Sequence, residues 1–247
     1  MIRSSQKHWR SIIAALAVVL GLMMPTTTPQ AQSNGNPGVI PPNARPYGLT
    51  YGQWSARHWQ WTYSMPADHH PLTDTADCSA GQSGPVWFLG GTFAATPTGP
   101  NTVVGTANRV CTVPAGKALF FPIVDVECSE VEGNGTTDAE LRPCAKFLAD
   151  HITNLQATVD GVSIQNLPNY RVQSPLFQFG PLPENNLLGA PAGTISPSVS
   201  DGVFLMLAPL SAGTHTIHFA GELVFTQAQD GFDFTFTLDI TYHLTVA

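Results

Sequence analysis

The longest regular pattern in the chain lies near its C terminus. In "FDFTFTLDITYHLTV" (232–246), Phe232, Phe234, Phe236, Leu238, Ile240, Tyr242, Leu244 and Val246 alternate with Asp233, Thr235, Thr237, Asp239, Thr241, His243 and Thr245. Period two over this length predicts a strand with one buried and one wet face, a pattern no helix produces. Shorter β-type runs precede it: "PVWFLGGTF" (85–93), "NRVCTV" (108–113), "KALFFPIV" (117–124), "LQATVDGVSI" (155–164), "PLFQFG" (175–180), "DGVFLMLAPL" (201–210) and "GTHTIHFAGEL" (213–223). The turn "PAGK" (114–117) between the second and third predicts a hairpin. Residues 165–201, rich in Pro, Asn and Gly, read as irregular structure packed on a sheet.

Two segments depart from the β pattern. Thr50 and Gln53 form a T-x-x-Q capping box, which opens a helix running to about Ser64 and ending before Pro66. Thr137 and Glu140 open a second helix, predicted over 138–155 because Leu141, Cys144, Leu148, Ile152 and Leu155 recur at helical spacing. Pro143 is expected to delay its regular part by a turn. The predicted fold class is mainly β, an antiparallel β-sandwich (immunoglobulin- or jelly-roll-like) with two peripheral helices. It forms a single domain over residues 47–247, preceded by a flexible linker at 32–46.

The N terminus changes the compartment. Arg3, Lys7 and Arg10 precede the apolar run "SIIAALAVVLGLMM" (11–24) and the polar stretch "PTTTPQAQSNG", the three-part layout of a secretory signal peptide. Residues 1–31 are expected to be that signal, cleaved after Ala31, giving a secreted or periplasmic protein with no lipid-anchoring Cys at the junction. The chain holds 10 Lys+Arg against 17 Asp+Glu, and three of those basic residues lie in the leader. So acidic a remainder excludes nucleic acid and anionic membranes as partners. Four cysteines, Cys78, Cys111, Cys128 and Cys144, read as two disulfides in an exported chain. Of the three pairings, Cys78–Cys111 and Cys128–Cys144 are favoured, since each joins neighbouring segments.

The stretches "YGQWSARHWQW", "GQSGPVWFLGG" and "RVCTVPAGKALFFPI" resemble a family of uncharacterised exported bacterial β-rich proteins, over roughly Tyr47 to Ala247. "LSAGTHTIHFAG" (210–221) resembles the closing hairpin of immunoglobulin-like sandwiches. The resemblance implies export and a β-rich fold, and brings no reaction with it.

Candidate chemistry concentrates in three places. On the first helix, Tyr51, Trp54, His58 and Trp61 form one stripe, with Trp59 and Tyr63 nearly opposite. Such a helix is either sandwiched between layers or presents aromatics outward. Outward, Trp54, His58, Trp59, Trp61 and Tyr63 would bind a carbohydrate or similar neutral polymer, because flat rings suit pyranose faces. Next, "ADHHPLTDTADC" places His69, His70 and Asp74 among potential metal ligands. The acidic loop then supplies Asp125, Glu127, Glu130, Glu132, Asp138 and Glu140, hard oxygens suited to calcium. A transition metal or calcium held by His69, His70, Asp74, Asp125 and Glu127 would make a metal-dependent secreted hydrolase. Asp125 and Glu127 alone would make a glycosidase acid–base pair. His215, on the same strand face as Ile217 and Phe219, reads as a partly buried core residue; His218 and His243 could meet on the wet face. No G-x-S-x-G elbow or phosphate loop is present. A structural or adhesive module with no small ligand is the third reading.

Overall fold

The computed structural model describes Asn36 and residues 38–247; the expected signal peptide lies outside them. Two long strands, β4 (Ala118–Ser129) and β9 (Ser196–Leu207), pair antiparallel at the centre of a five-stranded sheet. β1 (Val86–Phe88) runs parallel to β4, and β7 (Arg171–Gln173) and β8 (Phe177–Phe179) pair with β9. Both central strands are buried along almost their whole length. Their near-continuous apolar runs follow from that, since a strand covered on both faces has no wet side to alternate with.

Neighbouring side chains show what covers each face. Phe120 packs edge-on against Tyr51 of α1 (Tyr51–Thr62), ring centroids 5.8 Å apart. Phe121, pointing the other way, stacks on Phe219 of β10 (Gly213–Phe225) at 5.1 Å. One face therefore carries α1. The other carries a second sheet of six strands in the order β2-β3-β11-β10-β5-β6. Its remaining members are β2 (Ala95–Gly99), β3 (Thr102–Val113), β5 (Ile152–Val159), β6 (Val162–Ser163) and β11 (Phe234–Val246). The architecture is a β-sandwich with peripheral helices, as the sequence predicts. Each fully buried Phe at these layer contacts stabilises the fold by roughly 1.5–3 kcal/mol.

β11 is the alternating C-terminal segment. Leu238, Ile240, Tyr242, Leu244 and Val246 are buried and Asp239, His243 and Thr245 exposed; Phe232 falls just outside the strand and is exposed. β11 pairs antiparallel with β10 and parallel with β3, from Thr235↔Thr102 to Val246↔Val113.

α2 (Asp138–Ala149) packs on the opposite face from α1. Ser198 and Ser200 of β9 bond to groups on the α1 side, while Val199 between them clusters with Leu141 and Ala145 of α2. Glu140 accepts from the Thr137 backbone N–H at 3.0 Å, so the capping interaction forms, and the helix runs through Pro143 without interruption. A four-residue helix, α3 (Gln227–Asp230), joins β10 to β11.

Three local expectations are corrected. "PAGK" is not a hairpin turn: β3 and β4 belong to different sheets, so the turn arches across the sandwich. α2 ends at Ala149, and Ile152 and Leu155 lie on β5, where β-branched Ile152 and Thr153 suit pairing with β10. The described end of the expected linker is docked: the Ile40 N–H donates to the Met206 carbonyl at 2.8 Å, and Val39 bridges Leu207.

The disulfides are Cys78–Cys111 and Cys128–Cys144, the favoured pairing, and they fit an extracellular or otherwise oxidising compartment. No helix among the described residues is long and apolar enough to cross a membrane. Cys128–Cys144 closes a segment with a sequence separation of 16 between β4 and α2. Replacing both cysteines with Ala should cost about 3 kcal/mol, because a loop of that size regains its freedom in the unfolded chain. Urea unfolding tests this; a variant with an unchanged midpoint would contradict it.

Candidate functional site

α1 is covered on both sides. Tyr51 and Trp54 join the core of the central sheet, Trp61 packs with Met65 and Leu72, and Trp59 and Tyr63 pack with Phe177, Phe179 and Leu182. None of Trp54, His58, Trp59, Trp61 and Tyr63 is more than 9% exposed. The expected outward aromatic platform is thus absent, because the segment around 177–190 covers the second stripe.

Near this helix the sheet has a gap. β1 stops pairing at Phe88, opposite Phe120, while β4 continues. Pro122 supplies no N–H, and the β4–β9 register shifts between Pro122 and Val124. A bulge re-aims the side chains that follow it. Val124 then meets Gly221 of β10, leaving Asp125 on the α1 side. Gly202 opposite allows this: a Cβ there would lie 2.5 Å from Cα and Cβ of Asp125.

The gap is a cavity of about 280 Å³. Leu72, Val124, Phe236 and Leu238 supply apolar wall, and His58, Trp59, Thr62 and Asp125 the polar part. Half-buried Thr92 and Ala95 and exposed Phe93 form its mouth.

Five buried side-chain polar atoms among the described residues lack a hydrogen-bond partner. Four of them belong to residues lining this one cavity: His58 Nδ1, Trp59 Nε1, Thr62 Oγ1 and Asp125 Oδ2. Buried polar groups are normally satisfied, so such a cluster is a place where a water, an ion or a ligand would complete the bonding.

Each group has a definable state. The His58 Nε2–H donates to the Leu89 carbonyl at 2.8 Å. Burial lowers the His58 pKa to about 4, against the opposing pull of that carbonyl, so the ring is neutral at pH 7 and Nδ1 is a bare acceptor. Burial raises the Asp125 carboxyl to about 7. The Trp59 indole offsets part of this shift, although its N–H stands outside hydrogen-bonding geometry to any acceptor.

A buried arginine fixes the cavity's rim. Arg109 Nη1 donates to the carbonyls of Gly90 (3.2 Å) and Gly91 (2.8 Å) and to the Tyr242 hydroxyl (2.8 Å). The Tyr242 hydroxyl donates in turn to the Gly90 carbonyl at 2.8 Å. This clamp holds the chain immediately after Leu89, whose carbonyl sets the His58 tautomer.

The predicted metal set does not assemble: no three His, Cys, Asp or Glu side chains among the described residues could hold an ion together. His70 uses both ring nitrogens, accepting from Leu72 N–H at 2.9 Å and donating to the Thr62 carbonyl at 2.8 Å. Asp74 pairs with Arg109 at 2.6 Å. His69 is exposed on its turn. Glu127 sits in a cage of hydroxyls: Oε1 accepts from Tyr63 (2.9 Å) and Ser129 (3.3 Å), and Oε2 accepts from Ser198. Burial pushes its carboxyl well above the usual range, with Glu132 adding to the rise. Glu127 is therefore absent from the cavity wall, and the glycosidase pair with Asp125 does not form there.

Other acidic-loop residues are also engaged: Glu132 accepts from Ser129, Asp138 pairs with Arg142, and Glu140 caps α2. His215 is half-buried and bonds Asp160 at 2.8 Å. His218 bonds Asp239 at 2.9 Å, while His243 stands opposite Thr216, so those two histidines form no joint site.

The cavity draws His58 and Trp59 from the aromatic group and Asp125 from the acidic group, and adds Thr62, which sequence reasoning missed. The available signal was Asp125 itself, a carboxylate directly after the apolar run "ALFFPIV".

No family model matches the chain, and no curated protein matches it. Among solved structures, the solution structure of amebosin aligns at 11% identity over 60% of this chain and 100% of that one. Its TM-score of 0.16 carries no argument about fold or function.

Asp125 gives a pH test. Its folded pKa lies above that of an unfolded Asp, near 3.9, so the folded state binds the extra proton between about pH 4 and 7. Its contribution is present below pH 4, is lost as pH rises through that window, and is flat above it. Asp125→Asn removes this dependence. The variant's stability relative to the parent should therefore improve from pH 4 to pH 8, by a difference of order 4 kcal/mol. Parallel stability–pH curves for the two proteins would refute the assignment.

Proposed function

We propose that this is an exported protein that binds one small, largely apolar molecule in the cavity beneath α1. The observation that carries the reading is the set of four unpaired polar groups set into mainly apolar walls, the usual composition of a small-molecule site. The leader-like N terminus and the two disulfides support export.

Size and polarity narrow the ligand. A cavity of about 150 Å³ accepts benzene, so one of about 280 Å³ holds on the order of ten heavy atoms. That is too small for a polymer strand, and four polar groups are too few for a fully hydroxylated sugar. The ligand expected from the sequence therefore becomes a single compact molecule with one polar end.

Benzyl alcohol and cyclohexanol test the reading. At millimolar concentration either should raise the thermal midpoint by mass action and change tryptophan fluorescence through Trp59. Ala95→Trp, which places an indole at the mouth, should abolish both effects while the protein remains folded. Flat responses from the parent protein to both alcohols and to benzylamine would defeat the proposal.

A further inference from the structure

The four unpaired groups are unevenly divided between donors and acceptors, and the imbalance identifies the ligand's polar end. His58 Nδ1 only accepts, because Nε2 carries the proton given to Leu89. Asp125 Oδ2 accepts when ionised, and Thr62 Oγ1 can accept. Trp59 Nε1 only donates, and its influence on Asp125 favours the ionised carboxylate. The lining therefore offers a guest three acceptors against one dedicated donor. A primary ammonium offers three N–H donors and no acceptor.

We propose that the cavity is a site for a small primary amine. Its ammonium group is received by Asp125, His58 and Thr62, and its apolar body lies against Leu72, Val124 and Leu238. The proposal rests on the binding reading above and deepens it.

Charge points the same way. Burying an ammonium costs several kcal/mol unless a counter-ion meets it, and Asp125 is the one acid in the lining. No Lys or Arg lines the cavity, and Arg109 at its rim is already paired with Asp74, so a carboxylate ligand would face Asp125 with no free cation to hold it. Trp59, Phe93 and Phe236 also line the cavity, and aromatic rings attract cations. The chain's net charge of −7 favours cation approach. A neutral alcohol has one donor and would leave two acceptors unmet; a quaternary ammonium has none.

Calorimetric titration of the full chain at pH 7.5 with four compounds sharing one phenyl ring tests the assignment. Benzylamine should bind at least about 10-fold more tightly than benzyl alcohol or benzyltrimethylammonium, the scale of one charge-assisted hydrogen bond, and benzoate should not bind. Asp125→Asn should weaken benzylamine by about 10-fold or more and leave benzyl alcohol within about 3-fold. Benzyl alcohol binding as well as benzylamine would overturn the amine assignment and leave the cavity reading standing. So would equal binding of benzyltrimethylammonium, or benzylamine affinity unchanged in Asp125→Asn. Binding of neither benzylamine nor benzyl alcohol would overturn both readings. The comparison among ligands on the parent protein decides the matter even where the variant fails to fold.

Discussion

β4 and β9 are covered on both faces, and this constraint governs the rest of the molecule. A strand buried on two sides exposes no polar side chain to water, so each such residue must find a partner inside or be left unsatisfied at a cost. Most do. Ser198 and Ser129 serve Glu127, Ser200 meets Ser55 of α1, and Asp201 takes Arg171 in a two-pronged ion pair. Asp125 is the exception: it lies where β4 is only half-buried, beside the cavity, and its Oδ2 has no partner.

The cavity follows from where regular pairing fails. β1 is only three residues long, Pro122 has no backbone N–H to donate, and the bulge after it redirects the chain. Three of the elements around the space that opens have other reasons to be rigid. α1 is pinned by its cap and by two aromatic faces. The Gly90–Gly91 segment is held by Arg109 and Tyr242, and the Asp125 backbone lies against Gly202 too closely for any side chain there. Such supports are preorganised, so a ligand bound there would spend little of its binding energy on ordering the protein.

Much of the fold is legible in the residues because it depends on local pattern. The alternation in β11, the Thr50–Gln53 cap and the two-sided aromatics of α1 each have a period or spacing that one element dictates. The errors arise where a distant partner decides. The "PAGK" turn has hairpin chemistry, yet its flanking strands join different sheets because β4 must lie between layers and β3 must not. Ile152 and Leu155 continue a helical spacing, but pairing with β10 captures them. His70, Asp74 and Glu127 have the chemistry of metal ligands, and each is taken by a neighbour that no spacing announces: Thr62 and Leu72, Arg109, and a set of hydroxyls. The cavity was readable only in fragments, since His58, Trp59, Thr62 and Asp125 come from two segments more than sixty residues apart that the tertiary fold brings together.

The central claim is that half-buried Asp125 keeps a buried, unpaired Oδ2 and titrates near neutrality. Side-chain carboxyl ¹³C NMR across pH 3–9 reads it directly. One aspartate resonance should titrate with a midpoint near 7 and be missing from the spectrum of Asp125→Asn. An Asp125 resonance that titrates below 5, like an ordinary surface aspartate, would contradict it.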